Sequence, residues 1–359
     1  MGKQHIVRIL IDAFWWAEGP ISNRRVLRQM VQAWRQTHPA DELHLAVPRR
    51  HLAAVRRELG SGLFVHGSPV PQHGLSTALW LPALAGSIHP DRVLAQNFAG
   101  LWGQRFDVFA HDALFVDHPE WFTRAERAYF ALMRATWARS RRMLASTSTE
   151  AARLQRVRRS RELPTAVGLA VDTQLADLAS VRPAALTPGL PFLLSVGRLN
   201  VRKNLGYAIS VCSAAGVIDA GRPLIIVGEP NGAAAIGDYP PQLLESGAVR
   251  FLGRVTDAEL AWLYAKAEAF IFTSRDEGFG LPPLEAAHFG CPLIISDIPV
   301  MREVTAGLDA VYLPLDDTEK AAKLLADALN TGAAGRHRRP AESGYSWPAT
   351  ARALRQAMA

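Results

Sequence analysis

The sequence is poor in cysteine and contains no long hydrophobic run. Its 359 residues include two cysteines, Cys212 and Cys291, which stand in apolar stretches without the spacing of metal ligands. We therefore expect buried thiols in a protein of a reducing compartment. No apolar run is long enough to cross a bilayer, and the first residues lead directly into a strand-like segment without a signal peptide. These absences predict a cytoplasmic protein.

Two common phosphate-binding signatures are also missing. The loop around Gly19 does not have the Gly-x-Gly-x-x-Gly spacing of a dinucleotide site. The loop after Gly197 lacks the second glycine and the Ser or Thr of a P-loop, which excludes a simple NTPase. The acidic pair Asp316 and Asp317 has no partner ligands nearby in the sequence, so we expect no bound metal.

Positive charge is concentrated in the first half of the chain. Residues 1–170 contain 23 Lys and Arg against 13 Asp and Glu, whereas residues 171–359 contain 17 against 20. An anionic partner of the first half would explain this asymmetry, whether phosphate head groups, a diphosphate-linked substrate or nucleic acid. A solvated, arginine-rich surface is the alternative. The sequence has no nucleic-acid recognition motif with interleaved aromatic residues.

The length of the chain predicts two domains. Residues 176–191 are rich in Ala and Pro and have no clear pattern, as expected of a linker. On both sides of it, strand-like apolar runs alternate with helical patterns, and four strand ends in the second half carry glycine or charge. This pattern predicts an α/β protein with doubly wound parallel sheets, which bind ligands at the carboxyl ends of their strands. We place the domains at 1–175 and 192–340, followed by a final segment, 341–359.

The stretch 270–297 is the most informative one. A short strand-like run ends in a glycine-rich loop, Pro282 and Pro283 suit the first turn of a helix, and another buried strand follows. Folding the loop over the helix start would bring Glu277 and Glu285 to the rim of one pocket. There they would accept hydrogen bonds from neighbouring hydroxyls, such as those of a sugar and a ribose. The alternative is that both glutamates only favour the helix N-terminus through its dipole.

Three other features carry candidate chemistry. Arg198 offers a planar fork and Lys203 a point charge to a phosphate at the end of the strand that begins near residue 192. His111 follows a predicted strand, where it either contacts a ligand or is structural. Residues 121–144 show a helical pattern with one apolar face and one basic face. This pattern is typical of a core-facing helix with a solvated back, and an anionic membrane surface is the alternative partner. The basic face comprises Arg124, Arg127, Arg134 and Arg141.

These motifs resemble the retaining glycosyltransferases with the GT-B fold, of the large bacterial family 4 type. The resemblance rests on Ser195-Val-Gly-Arg198 with Lys203-Asn, on Val249-Arg-Phe-Leu-Gly253, and on Glu277-Gly-Phe-Gly-Leu-Pro-Pro-Leu-Glu285-Ala. Looser matches are Ala110-His111-Asp112, His118-Pro-Glu-Trp-Phe and Tyr345-Ser-Trp347. The resemblance implies two Rossmann-like domains facing across a cleft, the first for the acceptor and the second for a nucleotide sugar. It also implies that the final helix crosses back to the first domain.

The resemblance implies a role for each matching position. Arg198 and Lys203 would hold the donor diphosphate, Glu285 would bind the ribose hydroxyls, and Glu277 would bind sugar hydroxyls. His111 would touch the transferred sugar, and with Arg198, Lys203 and Glu277 it forms the candidate catalytic set. Beside Glu285, the candidate donor-binding residues are Gly19, Gly197, Arg254, Phe279, Gly280 and Leu281.

The function implied by this resemblance is glycosyl transfer without a metal or cofactor. A hexose or deoxyhexose of the mannose, rhamnose or glucose type would move, with retention, from a GDP- or UDP-linked donor to a glycan or lipid-linked saccharide. Such a protein would work in the cytoplasm, in peripheral contact with the inner face of the membrane, on cell-surface polysaccharide. A nucleotide-sugar epimerase of the same fold is the alternative, and a basic nucleic-acid-binding protein fits the sequence less well.

Overall fold

The computed structural model describes residues 6–60, 62–158, 161–229, 240–331 and 344–359. These residues belong to two compact units. The first unit comprises Met1–Asp117, Arg124–Leu169 and Ser346–Ala359, and the second comprises His118–Thr123 and Ala170–Tyr345. In this division the stretch 176–191 lies within the second unit.

The described part of the first unit is built on one parallel sheet of seven strands. The strands are β1 (Arg8–Asp12), β2 (Glu42–Pro48), β3 (Phe64–Ser68), β4 (Arg92–Gln96), β5 (Asp107–Phe109), β6 (Arg142–Ala145) and β7 (Thr165–Ala166). Their order is β3-β2-β1-β4-β5-β6-β7, so the order reverses between β1 and β4. Helices cover both faces of such a sheet, which is why Ile9, Leu10 and Ile11 of β1 are all buried.

Helices connect these strands. They are α1 (Ile21–Thr37), α2 (Leu52–Leu59), α3 (His73–Leu75), α4 (Leu81–Ile88), α5 (Leu114–Asp117), α6 (Arg124–Thr136) and α7 (Ser148–Arg158). The predicted helix over 121–144 is wrong in its last third, because a 3-10 turn, Trp137–Arg139, follows α6 and leads into β6. Arg141 leaves the predicted basic face, since its guanidinium pairs with the buried Asp107 of β5 at 2.8 Å.

The described part of the second unit repeats this plan with six parallel strands. They are β8 (Leu193–Val196), β9 (Leu224–Val227), β10 (Val249–Gly253), β11 (Ala269–Phe272), β12 (Leu293–Ser296) and β13 (Ala310–Leu313), in the order β10-β9-β8-β11-β12-β13. The helices are α8 (Thr173–Ala176), α9 (Leu205–Ala214), α10 (Gln242–Glu245), α11 (Asp257–Lys266), α12 (Leu281–His288), α13 (Pro299–Val304) and α14 (Thr318–Thr331). The predicted pair of doubly wound, Rossmann-like sheets is confirmed, and in this unit the order reverses between β8 and β11.

Both cysteines are buried, as predicted. Cys212 lies in α9, where burial raises the pKa of its thiol to about 12. Among the described residues, no helix combines the length and the apolar character that crossing a membrane requires.

The last helix, α15 (Trp347–Ala357), belongs to the first unit and packs against α1. Asp41 links these elements, because its carboxylate accepts hydrogen bonds from Arg355 of α15 at 2.8 Å and from Trp34 of α1 at 3.0 Å. It also accepts from the backbone N–H of Val7 at 3.1 Å. The Asp41 side chain is 5% exposed, so the ion pair is largely shielded from solvent.

We predict that Asp41→Ala lowers the free energy of unfolding of the first unit by about 2–4 kcal/mol. Removing the carboxylate leaves the guanidinium and two N–H donors without their acceptor, and such losses are costly when the groups are buried. Urea denaturation followed by tryptophan fluorescence would measure the change. The matched control is Glu58→Ala, which breaks an exposed pair with Arg28 and should change the free energy by less than about 1 kcal/mol. Equal effects of the two substitutions would contradict this account of α15.

Candidate functional site

The strand order places the candidate site of the second unit at the ends of β8 and β11. These two strands are neighbours, and the connections after them leave the sheet in opposite directions. A crevice at the carboxyl ends of such strands is the usual ligand site of a doubly wound sheet. Gly197 and Arg198 follow β8, whereas Thr273 and Ser274 follow β11. The backbone N–H of Gly197 donates to Val227 at the end of β9, which continues the sheet to this edge.

A 3-10 turn, Val201–Lys203, carries Arg202 and Lys203. The Asn200 side chain caps this turn by accepting a hydrogen bond from the N–H of Lys203 at 3.3 Å. The carbonyl of Arg202 accepts from the N–H of Arg275 at 2.9 Å. The turn is therefore fastened to the loop that follows β11.

Glu277 is the centre of the charged cluster in that loop. Its carboxylate accepts hydrogen bonds from Lys203 Nζ at 2.7 Å, Arg202 Nη1 at 2.6 Å and Ser274 Oγ at 2.8 Å. Lys203 Nζ also lies 4.5 Å from the centroid of the Phe272 ring, within the range of a cation–π contact. Lys203 and Glu277, two of the predicted site residues, are thus in direct contact, and the carboxylate is paired with two cations.

The cluster has an excess of positive charge in a shielded position. The side chains of Glu277, Lys203 and Arg202 are 7%, 13% and 22% exposed. Burial alone would raise the pKa of Glu277, but Arg202 and Lys203 outweigh it and hold that pKa below its usual value. Burial, together with the charges of Arg202 and Arg198, lowers the pKa of Lys203, while Glu277 opposes the shift. One carboxylate facing two cations, with Arg198 exposed nearby, makes this strand end attractive to an anion.

Glu285 lies in α12 and has a different environment. The buried Tyr264 of α11 donates its hydroxyl to Glu285 Oε2 at 2.9 Å, and the Glu285 side chain is itself buried. Pro282 and Pro283 occupy the first turn of α12, as predicted, since a missing N–H costs nothing there.

The start of α12 requires a glycine. Gly280 is the N-cap with φ of +89°, in the left-handed region that favours glycine. Phe279 is buried and packs edge-to-face on Tyr345, with ring centroids 5.2 Å apart. Leu281 is the first residue of the helix. The three candidate donor-binding residues therefore surround one helix start, where backbone N–H groups lack intrahelical acceptors.

A segment from the first half of the sequence reaches the same loop. His118, in the segment assigned to the second unit, stacks on Trp121 with ring centroids 3.8 Å apart. Its Nε2 lies 3.4 Å from Oδ2 of Asp276, the residue before Glu277. The sequence motif that begins at His118 is thus part of the surroundings of Glu277.

The remaining predicted residues follow another strand or belong to the first unit. Arg254 is exposed and follows β10, two strands away from β8. Gly19 and His111 belong to the first unit. Gly19 has φ of +94°, and a Cβ would lie 2.6 Å from the Trp15 ring, so this loop also needs a glycine. Burial, reinforced by the charge of His73, lowers the pKa of His111 to about 3.

Three contributors were missed by sequence reasoning: Arg202, Ser274 and Tyr264. Arg202 adjoins Lys203 in the sequence, but adjacency does not reveal that both side chains turn to one carboxylate. Ser274 stands three residues before Glu277, which is a usable signal for a local hydrogen bond. Tyr264 has no sequence signal, since it meets Glu285 only after α11 packs beside α12. Among the described residues, no group of three or more His, Cys, Asp and Glu side chains is arranged to hold a metal ion.

Part of the chain matches a known sequence family. Residues 181–347 match the family described as "Glycosyl transferases group 1". The match covers the strands β8 to β13 and all residues of the charged cluster. The predicted resemblance to family 4 type glycosyltransferases is confirmed.

Curated relatives match parts of the chain. The O-antigen chain mannosyltransferase RfbU of Salmonella typhimurium is 40% identical over 94 residues, which cover 26% of this chain and 26% of that protein. The O-antigen chain mannosyltransferase B of Escherichia coli is 32% identical over 162 residues, or 41% of this chain and 42% of that one. The chain therefore spans less than half the length of these two relatives.

Solved structures match the chain over nearly its full length. Sucrose-phosphate synthase from Thermosynechococcus elongatus has a TM-score of 0.66 at 17% identity, covering 99% of this chain and 96% of that one. The lipopolysaccharide outer core galactosyltransferase WaaB has a TM-score of 0.63 at 16% identity, covering 99% of both chains. These similarities confirm the predicted GT-B fold.

We predict that Glu277→Gln destabilises the second unit in a pH-dependent way. At pH 7 the free energy of unfolding of the variant should be about 3 kcal/mol lower than that of the wild type, because Lys203 and Arg202 lose their counter-charge. The pKa of Glu277 is lowered in the folded protein. The ion pairs therefore stabilise the folded protein fully when the pH is above 4.5, the ordinary pKa of a glutamate. Their contribution is lost as the pH falls through the lower, folded-state pKa. Denaturant unfolding from pH 3 to 8 should therefore show the difference between wild type and variant shrinking in acid. The exposed Glu319→Gln is the control, and a difference independent of pH would contradict the assignment.

Proposed function

We propose that this chain, whose residues 181–347 form a group 1 glycosyl transferase domain, is a hexosyltransferase that uses a nucleotide diphosphate sugar. The observation that carries the proposal is the cluster of Lys203, Arg202 and Glu277 at the point where the strand order reverses. A diphosphate is the anion that best matches two shielded cations beside the exposed Arg198. The acceptor is a glycan or lipid-linked saccharide of a cell-surface polysaccharide, as the names of the mannosyltransferase relatives suggest.

In the proposed complex, the second unit binds the donor. Arg198 and Lys203 hold the diphosphate and offset its charge as the bond to the sugar breaks, which lowers the barrier electrostatically. Glu285, already oriented by Tyr264, accepts hydrogen bonds from the ribose. Glu277 binds sugar hydroxyls, and the N–H groups at the start of α12 seat the sugar and phosphate.

We further propose that the reaction retains the anomeric configuration and does not use a metal ion. Under this proposal, Lys203 and Arg202, which pair with Glu277, neutralise the leaving diphosphate in place of a divalent ion. The donor phosphate itself draws the proton from the acceptor hydroxyl, so no protein nucleophile is assigned. The transferred sugar is of the mannose, rhamnose or glucose type.

A donor screen tests this function directly. We expect one GDP- or UDP-linked sugar to raise the melting temperature of the full chain, because a ligand that binds only the folded state stabilises it. The same sugar should be transferred, or slowly hydrolysed, in the presence of EDTA.

Lys203→Ala and Glu285→Ala should each lower kcat by about 100-fold or more without unfolding the protein. Lys266→Ala and Glu319→Ala change exposed residues of the same unit and should leave kcat unchanged. If none of the GDP- or UDP-linked sugars in the donor screen binds the protein, the proposed function is refuted.

We propose that the first unit contacts an anionic membrane at the inner face. Its α6 and the loop before β5 expose large apolar side chains, among them Leu132 at 67% and Trp102 at 47%. The two elements are connected, because Arg139, which follows α6, donates to the carbonyl of Gly100 at 3.2 Å. The exposed cations of this surface are Arg105, Arg124, Arg127 and Arg134. Exposed apolar groups mixed with arginines suit the boundary between anionic head groups and acyl chains.

We predict that wild type co-sediments with vesicles containing phosphatidylglycerol and only weakly with vesicles of phosphatidylcholine. The double variant Trp102→Ser/Leu132→Ser should weaken binding about tenfold or more, because it removes apolar area that would leave water. Higher salt should weaken binding of the wild type, since charge contributes. Leu244→Ser, at an exposed position of the second unit, is the control. Equal binding to both lipids would contradict the proposed surface.

A further inference from the structure

A short segment of the second unit lies, in the sequence, between two helices of the first unit. Residues 118–123 follow α5 and precede α6, yet they belong to the second unit. The segment contains a 3-10 turn, Pro119–Trp121, in which the backbone N–H of Trp121 donates to the carbonyl of His118 at 3.2 Å. Residues three apart lie on the same side of such a turn, so the side chains of His118 and Trp121 come together.

The rings of these two residues form a stacked pair. Their centroids are 3.8 Å apart and their planes are inclined by 9°, so the imidazole covers one face of the indole. Pro119 occupies the first position of the turn, where its fixed φ restricts the backbone that carries both rings. The stack is therefore a feature of the turn itself.

Two carboxylates fix the plane of the His118 ring. Oδ2 of Asp276 lies 3.4 Å from Nε2 of His118, and Oε1 of Glu120 lies 3.4 Å from Nδ1. The other oxygen of Asp276, Oδ1, accepts the backbone N–H of Glu277 at 2.8 Å. The stacked pair is thus attached, through one side chain, to the residue at the centre of the charged cluster.

The indole of Trp121 is accessible to a ligand. Trp34 and Trp137 are core residues at 1% exposure, whereas Trp121 is partly exposed. Because His118 lies over one face of the indole, a ligand reaches it from the opposite face or from the edge. A supported aromatic ring of this kind offers an apolar surface that has little conformational freedom left to lose on binding.

We propose that Trp121, supported by His118, is a binding subsite for a sugar ring of the acceptor, and that this sugar is a neutral hexose. The inference rests on the proposed glycosyl transfer and deepens it, because it names the class of acceptor and a residue that binds it. One face of a hexopyranose carries mainly C–H groups, which pack on an aromatic ring while the hydroxyls remain at the rim. The sequence resemblance assigns the acceptor to the first domain, whereas this subsite belongs to the second unit.

The position of the subsite favours the acceptor over the donor. In the proposed complex, Glu277 binds hydroxyls of the transferred sugar, and Asp276 is the preceding residue. The new bond joins the transferred sugar to the acceptor sugar, so the two rings are neighbours when it forms. An aromatic platform attached to the residue beside Glu277 lies where the second ring is needed.

The charges around the stacked pair explain why the sugar is neutral. The side chains of Glu120 and Asp276 are 63% and 16% exposed. Carboxylates at these positions accept hydrogen bonds from hydroxyls but repel a phosphate or a sugar acid. A nucleotide base also stacks on aromatic rings, but its phosphates would face the same two carboxylates.

Saturation-transfer NMR of the full chain with methyl glycosides of mannose, glucose and galactose, in the presence of UDP and GDP, tests the subsite. We expect at least one glycoside to bind, with the strongest transfer at its ring C–H protons. Trp121→Ala should weaken this binding about tenfold or more, because the apolar surface that covers the sugar is removed. Trp121→Phe keeps an aromatic face and should stay within about threefold of the wild type. Trp262→Ala is the matched control, since Trp262 of the same unit is also partly exposed and stacks on one ring, Phe192.

Kinetics separate this binding role from a structural one. With the bound glycoside as acceptor, Trp121→Ala should raise the acceptor KM about tenfold, while the donor KM and the melting temperature stay at their wild-type values. The methyl uronide of the same configuration carries a carboxylate and should bind about fivefold or more weakly than the neutral hexoside.

Three results would overturn the inference: binding of no glycoside by the wild type, equal affinities of the wild type and Trp121→Ala, or a uronide that binds as tightly as its hexoside. If Trp121→Ala does not fold, Trp121→Leu replaces it. That variant keeps apolar volume without an aromatic face and should weaken binding about fivefold or more, so wild-type affinity would again refute the subsite. The NMR measurement requires neither a sugar donor nor turnover, so a failure of the proposed function would be seen separately in the donor screen.

Discussion

The organisation of the second unit depends on the need to pair a buried carboxylate. Glu277 lies in a loop that could not keep an ionised side chain away from water without cations beside it. Lys203 and Arg202 supply them, and both come from one short turn on the neighbouring strand connection. The pairing therefore fixes the position of two loops at once. Ser274 and the capped turn at Asn200 then restrict the remaining freedom of these side chains.

The same pairing leaves the site incompletely neutralised. One carboxylate balances one cation, so the cluster retains positive charge, which the exposed Arg198 increases. A second carboxylate from the protein would neutralise the cluster and remove its affinity for an anionic ligand. Without Glu277, the two like charges of Lys203 and Arg202 would repel each other in a position shielded from solvent. Under the proposed function, the arrangement is a compromise between stability of the unoccupied site and attraction of a diphosphate. In the proposed reaction, a ligand that brings its own negative charge would relieve the remaining repulsion.

The sequence was sufficient to predict those parts of the fold in which local pattern and tertiary context agree. Strands such as β1, β11 and β12 are continuous apolar runs because helices cover both faces, and all three were predicted. β3 was missed, since Phe64–Ser68 contains a histidine, a glycine and a serine and is recognisable only beside β2. The helical pattern of 121–144 continued into β6 because a short continuous apolar run, such as 143–145, cannot be distinguished from a buried helix segment by periodicity alone. The charged cluster shows the same limit: the sequence indicated Lys203 and Glu277, whereas the contacts of Arg202 and Tyr264 depend on packing.

The two sheets place polar residues at the same topological position, but these residues differ in their chemistry. In each unit, polar residues lie at the carboxyl ends of the two strands at which the order reverses, because the loops diverge there and leave room for a ligand. The second unit places arginines and a lysine at that edge, which suits a diphosphate. The first unit places a neutral histidine and an amide there, over a carboxylate whose charge is satisfied internally. The two edges therefore differ in charge, cationic in the second unit and neutral in the first.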